Sequence, residues 1–565
     1  MIIGIDLGTT NSLVSIWKDG ETHVISNVLG DSMTPSVVSL DNNGEILVGL
    51  AARDRLLTHP RLTTACFKRY MGSEHIVQLG KQKFRPEELS ALLIKSLKKD
   101  AEAYLGEVVT EAVITVPAYF NDIQRKSTRT AGQLAGLKVE RLLNEPTAAA
   151  LAFGIHQTHL EKKILIFDLG GGTFDISILE MFEGIMEIRA SAGDNFLGGE
   201  DFTEALSQAF IHHHQLSTQD LSANTIAAIH SAAEKSKRQL SDGNDSLMQI
   251  RHNNQNYSWN ISTDQFAQLS EPLLKRLMKP VERALRDSKI KAQEIDEIIL
   301  VGGATRMKVL RRTTARMFGR LPLAHINPDE IVSLGAAVQA GLKARDSALD
   351  EIVMTDVCPY TLGIETSKEF GQQQYKSGYF TPVLERNTVI PASRSEIVRT
   401  ISDNQTEVRF NVFQGESRLV KDNIRLGDFS IKVPKASAGN EEVDVRFTYD
   451  INGLLEVEAT VLNTQKKKNI IIEQSPGSLS SHDIKKSLKK LSKLKIHPRE
   501  DLKNKSIITR AERLYEEFLS EDREFINQRI SQFELALNTQ DQIVIRDAFS
   551  VLENTLNEIE ENPYL

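Results

Sequence analysis

The pattern of apolar and polar positions changes character twice along the 565 residues. From Met1 to about Arg345, apolar runs of strand length alternate with long stretches of helical periodicity, the signature of stacked α/β layers. From about Val353 to Ser475 the helical period vanishes. Segments such as Glu407 to Phe413 and Leu454 to Val461 alternate with period two between Asn, Asp and Gly turns, as half-buried strands do. From Ser478 to Leu565 helical spacing returns. Leu514, Phe518, Phe525, Ile526, Ile530 and Phe533 give apolar stripes, and Pro498 is expected to break the first of these helices from the next. The most basic stretch, Lys485 to Lys495, carries Ile484, Leu488, Leu491 and Leu494 at helical spacing, so its lysines read as the solvated face of an amphipathic helix.

The first segment contains an internal echo. Ile2 to Asn11 and Ile164 to Thr173 are each an apolar strand ending in Asp-Leu-Gly, followed by small hydroxyl or Gly residues and a second apolar strand. A duplicated strand–turn–strand unit implies two similar lobes with a cleft between them. The turns Gly8-Thr9-Thr10-Asn11-Ser12 and Gly170-Gly171-Gly172-Thr173 can bring backbone N–H groups against phosphate, because no bulky side chain blocks the approach. Each turn follows a carboxylate, Asp6 or Asp168, at the end of a buried-looking strand. An acid there is costly unless it serves a cation or a hydrogen-bond network. Two facing carboxylates suit a hydrated Mg²⁺, which keeps most of its waters. The bland alternative, a pair of ordinary hairpins, leaves the repeated Asp unexplained.

Two small-residue helical stretches, Thr147 to Gly154 and Gly335 to Gly341, fall at matching points of the halves. They would let two helices cross closely, either as a pivot between lobes or as tight core packing. A third Gly turn, Val301 to Arg306, follows another apolar run. With Glu234, Lys237, Arg238 and Ser241 on a helical stretch it could hold a base and ribose, although that helix alone reads only as a charged surface.

Composition adds mostly exclusions. The net charge of −8 comes with no basic block of the kind that binds nucleic acid. No segment reaches the roughly 18 apolar residues of a membrane span, and the N-terminus shows no signal-peptide pattern. The two cysteines, Cys66 and Cys358, give neither a disulfide framework nor a metal cluster and are expected to be neutral thiols. A reducing, cytoplasmic setting follows as the expectation.

The phrases Gly4 to Ser12, Val113 to Phe120, Asn144 to Ala150, Phe167 to Asp175, Leu197 to Phe202 and Asn327 to Glu330 together resemble the DnaK/heat-shock-70 chaperones along nearly the whole chain. Its compact size and shortened helical end look most like the HscC subgroup. The resemblance implies an actin-like, ribonuclease H-like α/β ATPase domain at 1–345, an interdomain linker at 346–356, a β-sandwich substrate-binding domain at 357–475 and a short α-helical lid at 476–565. It implies ATP or ADP with Mg²⁺ as ligands, potassium being a further candidate ion. Asp6 and Asp168 would organise the metal, mostly through water. Gly8, Thr9, Thr10, Asn11, Gly170, Gly171, Gly172 and Thr173 would surround the phosphates, with Gly198 and Gly199 as a further phosphate turn. Lys68, Glu145, Asp168, Asp175 and Thr173 would be catalytic, Lys68 placing the attacking water. Glu234, Lys237, Arg238 and Ser241, with Gly302, Gly303, Arg306 and Asp329, match the adenosine side. Pro146 matches a relay proline, and Asp356 an acid of interdomain and J-domain coupling. Val398, Ile401, Gln405, Val408 and Phe410 fall at the peptide groove, where apolar side chains would meet an extended client segment.

The chain also departs from the family pattern. The segment between Lys68 and Pro86 is short, Asn195 stands where many members carry a phosphorylated threonine, and Ala304 replaces a serine. Ser367 to Phe380 reads as a longer loop than usual, and Ile401 and Phe410 are enlarged groove residues. Glu441 to Asp444 spells the tail motif of eukaryotic members but opens a strand. The resemblance implies a stress-response chaperone that binds unfolded client peptides and is stimulated by a J-domain co-chaperone, with the need for an exchange factor left open. The alternatives are a holdase or exchange-factor-like relative with weak coupling, and a small-molecule kinase of the same fold. The kinase reading leaves the sandwich and lid without a purpose. Many non-hydrolysing relatives carry altered linkers, whereas Lys68, Glu145, Asp168 and Asp175 are all present here.

Overall fold

The computed structural model describes residues 1–41, 43–154, 161–182, 185–253, 255–323, 326–349, 353–369, 375–451, 453, 455–471, 481–491, 499–518, 520–538 and 542–561. Two sheets form the N-terminal part, and the sequence echo is visible in both. In the first, Ile2–Asp6 runs antiparallel to Asn11–Lys18 and parallel to Glu111–Val116. In the second, Lys162–Leu169 runs antiparallel to Phe174–Phe182 and parallel to Glu297–Val301. Both central strands are apolar on both faces, as strands covered on two sides must be.

Helices Glu145–Gly154 and Ile331–Lys343 pack together between the two sheets. Their small residues are required by contact distance. A Cβ on Gly335 would lie 1.8 Å from the Ala148 carbonyl oxygen, and one on Gly4 would lie 2.6 Å from the Ala336 carbonyl carbon. The outer face of the first sheet is covered by Pro86–Leu105 and Asp122–Leu134, closing a core that includes Phe67, Phe84 and Phe120. Helices Gly199–His213, Ala223–Asp242 and Thr263–Ser288 close the second lobe around Phe167, Phe174, Phe202 and Phe210. The shortened segment after Lys68 is a small hairpin, Val77–Leu79 with Gln82–Phe84. Burial pushes the thiols of Cys66 and Cys358 each up to about 12, so both are neutral.

The stretch expected as a linker is partly a strand. Residues 350–352 lie outside the described residues, and Val353–Val357 joins the second sheet beside Ile185–Asp194, in parallel, with Val389–Ile390 on its other side. Two four-stranded sheets follow. One is ordered Tyr375–Leu384, Leu362–Glu369, Glu407–Gln414, Ile424–Lys432, and the other Ala392–Arg399, Glu442–Tyr449, Leu455–Val461, Lys466–Ile471. They enclose a core of Ile364, Val412, Leu426, Val445, Phe447 and Val457. The expected long loop from Ser367 to Phe380 is instead mostly two paired strands, with 370–374 outside the described residues. Glu442 does open a strand.

Helices Arg499–Glu517, Ser520–Asn538 and Gln542–Glu561 bundle around Leu514, Ile526, Phe533 and Leu556. Pro498 and Leu494 fall outside the described residues. The basic helix Ser481–Leu491 buries Leu491 and part of Ile484 against the first lobe's core and leaves Leu488 exposed. Its Lys490 is less free than a solvated face requires, because its Nζ donates to Glu88 Oε2 at 2.7 Å. Lys505 to Asp41 at 2.5 Å and Arg513 to Asp54 at 3.4 Å extend this docking onto the first lobe. Among the described residues no helix is long and apolar enough to cross a membrane.

The helix crossing is the tightest constraint between the lobes. Gly335→Ala is expected to lower unfolding stability by about 1–3 kcal/mol, the usual cost of overpacking, measured by urea denaturation. An unchanged midpoint would show that the crossing tolerates a side chain.

Candidate functional site

The first Gly turn is held by hydroxyls. Gly8 N–H donates to Ser12 Oγ at 3.0 Å, and Ser36 Oγ donates back to the Gly8 carbonyl at 2.8 Å. A Cβ on Gly8 would lie 2.0 Å from the Asn11 carbonyl, so only glycine closes this turn. The second turn is closed by Gly170 N–H to the Thr173 carbonyl at 3.1 Å. The two tips touch. A Cβ on Gly171 would meet Thr10 Cγ2 at 2.2 Å, and one on Gly172 would meet Thr9 Cγ2 at 2.5 Å.

Two further turns lock onto the second. Gly199 and Glu200 donate their N–H groups to the Gly170 and Gly171 carbonyls at 2.9 and 2.8 Å, placing the N-terminus of helix Gly199–His213 at the tips. Gly302, at φ +82°, approaches so closely that a Cβ would lie 2.4 Å from the Leu169 carbonyl. The sequence-predicted Gly residues therefore converge from both lobes. Glycine turns of this kind are ones that anionic oxygens can approach closely, because no Cβ stands in the way.

Beside the turns lie three buried carboxylates, the half-buried Asp6 and one buried lysine. Lys68 Nζ pairs with Glu145 Oε1 at 2.7 Å. Asp6 Oδ1 accepts from Thr115 Oγ1 at 2.8 Å, and Asp175 Oδ1 accepts the Tyr119 N–H at 2.9 Å. Asp168 Oδ2 is buried without a hydrogen-bond partner among the described residues. Burial, then Glu145, push Asp6 up to about 7 against the pull of Lys68. Burial and Glu145 push Asp175 up to about 8. Asp168 is raised well above the usual carboxylate range by burial, then by Glu145, Asp175 and Asp6. One lysine does not offset this much buried negative charge.

The orphaned Asp168 oxygen and the raised carboxylates fit a divalent cation. Among the described residues no group of three or more His, Cys, Asp or Glu is arranged to chelate a metal directly.

The residues assigned to the adenosine side flank the third and fourth turns. Lys237 Nζ donates to the Gly199 carbonyl at 2.9 Å and to Thr203 Oγ1 at 2.8 Å, and pairs with Glu234 at 2.6 Å. Burial works against ionisation of Glu234, but Lys237, Arg238 and Thr203 outweigh it and hold it at about 2. Ser241 Oγ donates to the Lys237 carbonyl. Arg306 Nε donates to Asp329 Oδ2 at 3.0 Å, and Gly303 sits against Asp329 Oδ1.

Asp356 lies in the strand that leads out of the second sheet. Its Oδ2 accepts from Asn144 Nδ2 at 2.8 Å and Thr147 Oγ1 at 2.9 Å, the residues either side of Glu145-Pro146. Pro146 is buried in the first turn of its helix. Sequence reading missed these partners, although the quoted phrase Asn144 to Ala150 contains both. It also missed Tyr360, whose hydroxyl donates to the Tyr119 carbonyl at 2.8 Å with ring centroids 4.4 Å apart. Arg386 of the sandwich reaches Asp287 at 2.8 Å. Nothing in local sequence signals partners about a hundred residues or more away.

The groove residues divide. Val398 and Val408 are half-buried on strands of the two different sheets, and Ile401 is exposed, its N–H held by Gln405 Oε1 at 3.0 Å. Phe410 departs from expectation. It is 2% exposed and stacked on Phe429 in the sandwich core, so in this conformation no ligand can reach it. It lies on the same inner face as Val408 and Val412, and further along the strand than Val408 it is covered by Phe429.

Comparison with known proteins gives two findings. The family described as Hsp70 protein matches residues 2–564. Chaperone protein DnaK of Thermotoga neapolitana is 41% identical over 502 residues, covering 86% of this chain and 82% of its own length.

Raised carboxylates bind protons more tightly folded than unfolded, so their contribution to stability falls as pH rises from about 4 towards 8. Nucleotide-free, metal-free protein is expected to lose thermal stability across that window, and Mg²⁺ with nucleotide to remove the loss. A midpoint that rises with pH in chelator, with no steeper gain from Mg²⁺-nucleotide at pH 8 than at pH 6, would contradict the charge balance described here.

Proposed function

This chain belongs to the Hsp70 protein family, and from that premise we propose that it is an ATP-hydrolysing chaperone whose ATPase site drives a clamp for extended, apolar segments of unfolded proteins. Asp6 and Asp168 would hold Mg²⁺ mostly through its waters, and the ion when bound supplies charge neutralisation to the phosphates. Thr9, Thr10, Thr173 and the turns at Gly8, Gly170–Gly172 and Gly198–Gly199 orient the phosphate oxygens through N–H and hydroxyl groups. Asn11 fixes the first turn where its strand begins. Lys68 orients the attacking water, with Asp175 as a carboxylate near that water and the metal. Glu145 holds Lys68 in place. Glu234, Lys237, Arg238, Ser241, Gly302, Gly303, Arg306 and Asp329 form the adenosine side. ATPase, linker, sandwich and lid are assigned to 1–345, 346–356, 357–475 and 476–565.

The observation that carries the coupled reading is the pair of hydrogen bonds from Asn144 and Thr147 to Asp356. They tie the strand leading to the sandwich to the residues flanking Glu145, the partner of Lys68. A change at the phosphates that moves Glu145 is thereby felt at the linker, and the reverse holds by linkage. Peptide would bind between Val398, Ile401, Gln405 and Val408, and a J-domain co-chaperone would act through the Asp356 region, both in the cytoplasm.

Single-turnover ATP hydrolysis with a short apolar peptide and a panel of J-domains tests this reading. The expected result is a slow basal rate that rises with either partner. A rate that no partner changes would favour an uncoupled holdase. Lys68→Ala is expected to cut hydrolysis at least about a hundredfold, as loss of a transition-state donor does, while nucleotide still binds. Near-normal turnover would remove Lys68 from its role. Asp356→Asn is expected to keep basal hydrolysis and lose stimulation, and unchanged stimulation would place the coupling elsewhere.

A further inference from the structure

Arg69 follows Lys68 in the short 3-10 turn Phe67–Tyr70, which the first lobe anchors by burying Phe67 and Met71. Its guanidinium leaves that lobe. Nε donates to the Gly172 carbonyl of the second lobe at 3.1 Å, and Nη1 donates to Asp201 Oδ1 at 3.4 Å, while Nη2 pairs with Asp201 Oδ2. Asp201 Oδ2 also accepts the Gly198 N–H at 2.7 Å, capping helix Gly199–His213. The fork thus engages both phosphate turns of the second lobe from the first.

We propose that Arg69 and Asp201 form a clasp across the nucleotide cleft, which keeps the turns of the two lobes in register and sets how fast nucleotide leaves. The proposal rests on the ATPase reading and adds two positioning residues to it. A nucleotide held between the turns cannot depart until the lobes separate, and separation must break the two-pronged Arg–carboxylate contact and the bond to Gly172. The side chains are 14% and 23% exposed, partly shielded from solvent. A bidentate pair of this kind is stronger than an open surface ion pair. Arg69 also shares its turn with Lys68, so loss of the clasp frees Lys68 to shift relative to the second lobe.

The test is dissociation of a fluorescent ADP from full-length protein, chased with excess ATP. Arg69→Ala and Asp201→Asn are compared with their double variant and with Arg69→Lys. The side-chain amide introduced by Asp201→Asn keeps an oxygen for the Gly198 N–H, so this substitution removes the charge and spares the cap. Each single variant is expected to release ADP about three to ten times faster, as loss of a partly buried, bidentate pair would give. The double variant should be no faster than Arg69→Ala, which already removes the contacts to both Asp201 and Gly172. Arg69→Lys should fall between Arg69→Ala and wild type. Wild-type release should quicken with salt, and that dependence should flatten in Arg69→Ala.

Singles whose effects multiply in the double variant, or release unchanged in both singles, would overturn the clasp while leaving the ATPase reading intact. Wild-type protein that binds no ADP would overturn both.

Discussion

Everything at the centre of this molecule is arranged around a charge imbalance. Glu145, Asp168 and Asp175 are buried, and Asp6 half-buried, at the junction of two sheets with Lys68 among them. Carboxylates so placed either take up protons or call for a cation, and Asp168 Oδ2 has no partner among the described residues. The glycine turns follow from the same constraint. Without side chains they let the backbones of the two lobes close in on the cleft, and the tips meet so closely that Thr9 and Thr10 touch the positions where Gly171 and Gly172 lack a Cβ.

A site shared between lobes couples whatever it binds to how the lobes sit. The helix crossing at Gly335 and Ala148 fixes where they can turn, because backbone meets backbone there. Two routes then lead outwards. One runs from Glu145 through Asn144 and Thr147 to Asp356. The other runs from Asp175 through the Tyr119 backbone to Tyr360. With Arg386 to Asp287 these polar contacts join the buried Val357 and the Tyr119–Tyr360 ring pair at the junction. The helical end packs on the first lobe by Lys490, Lys505 and Arg513. A ligand with different affinity for docked and undocked arrangements would shift their populations.

Much of this was legible in the chain. The duplicated Asp-Leu-Gly turns gave the two lobes and the carboxylates, because steric need for glycine and the cost of a buried acid leave local marks. Period-two runs gave the sandwich, and small residues marked the helix crossing. What was illegible depended on long-range pairing. Val353–Val357 reads as a loose linker until its neighbouring strand, Ile185–Asp194, is in place. Phe410 reads as a groove residue until Phe429 is seen to cover it, and the run from Ser367 to Phe380 reads as loop although its residues pair as strands. Nothing in the residues around Arg69 signals its partners. Only the fold shows that it crosses to Gly172 and Asp201.

The central claim is that nucleotide state governs grip on an extended peptide. The most direct measurement is the dissociation rate of a fluorescent apolar peptide from the full-length protein in Mg²⁺-ADP and after addition of Mg²⁺-ATP. The account predicts release at least about tenfold faster with ATP, equivalent to about 1.4 kcal/mol of coupling. Equal rates in the two nucleotides would contradict it, leaving an ATPase and a peptide site that do not communicate.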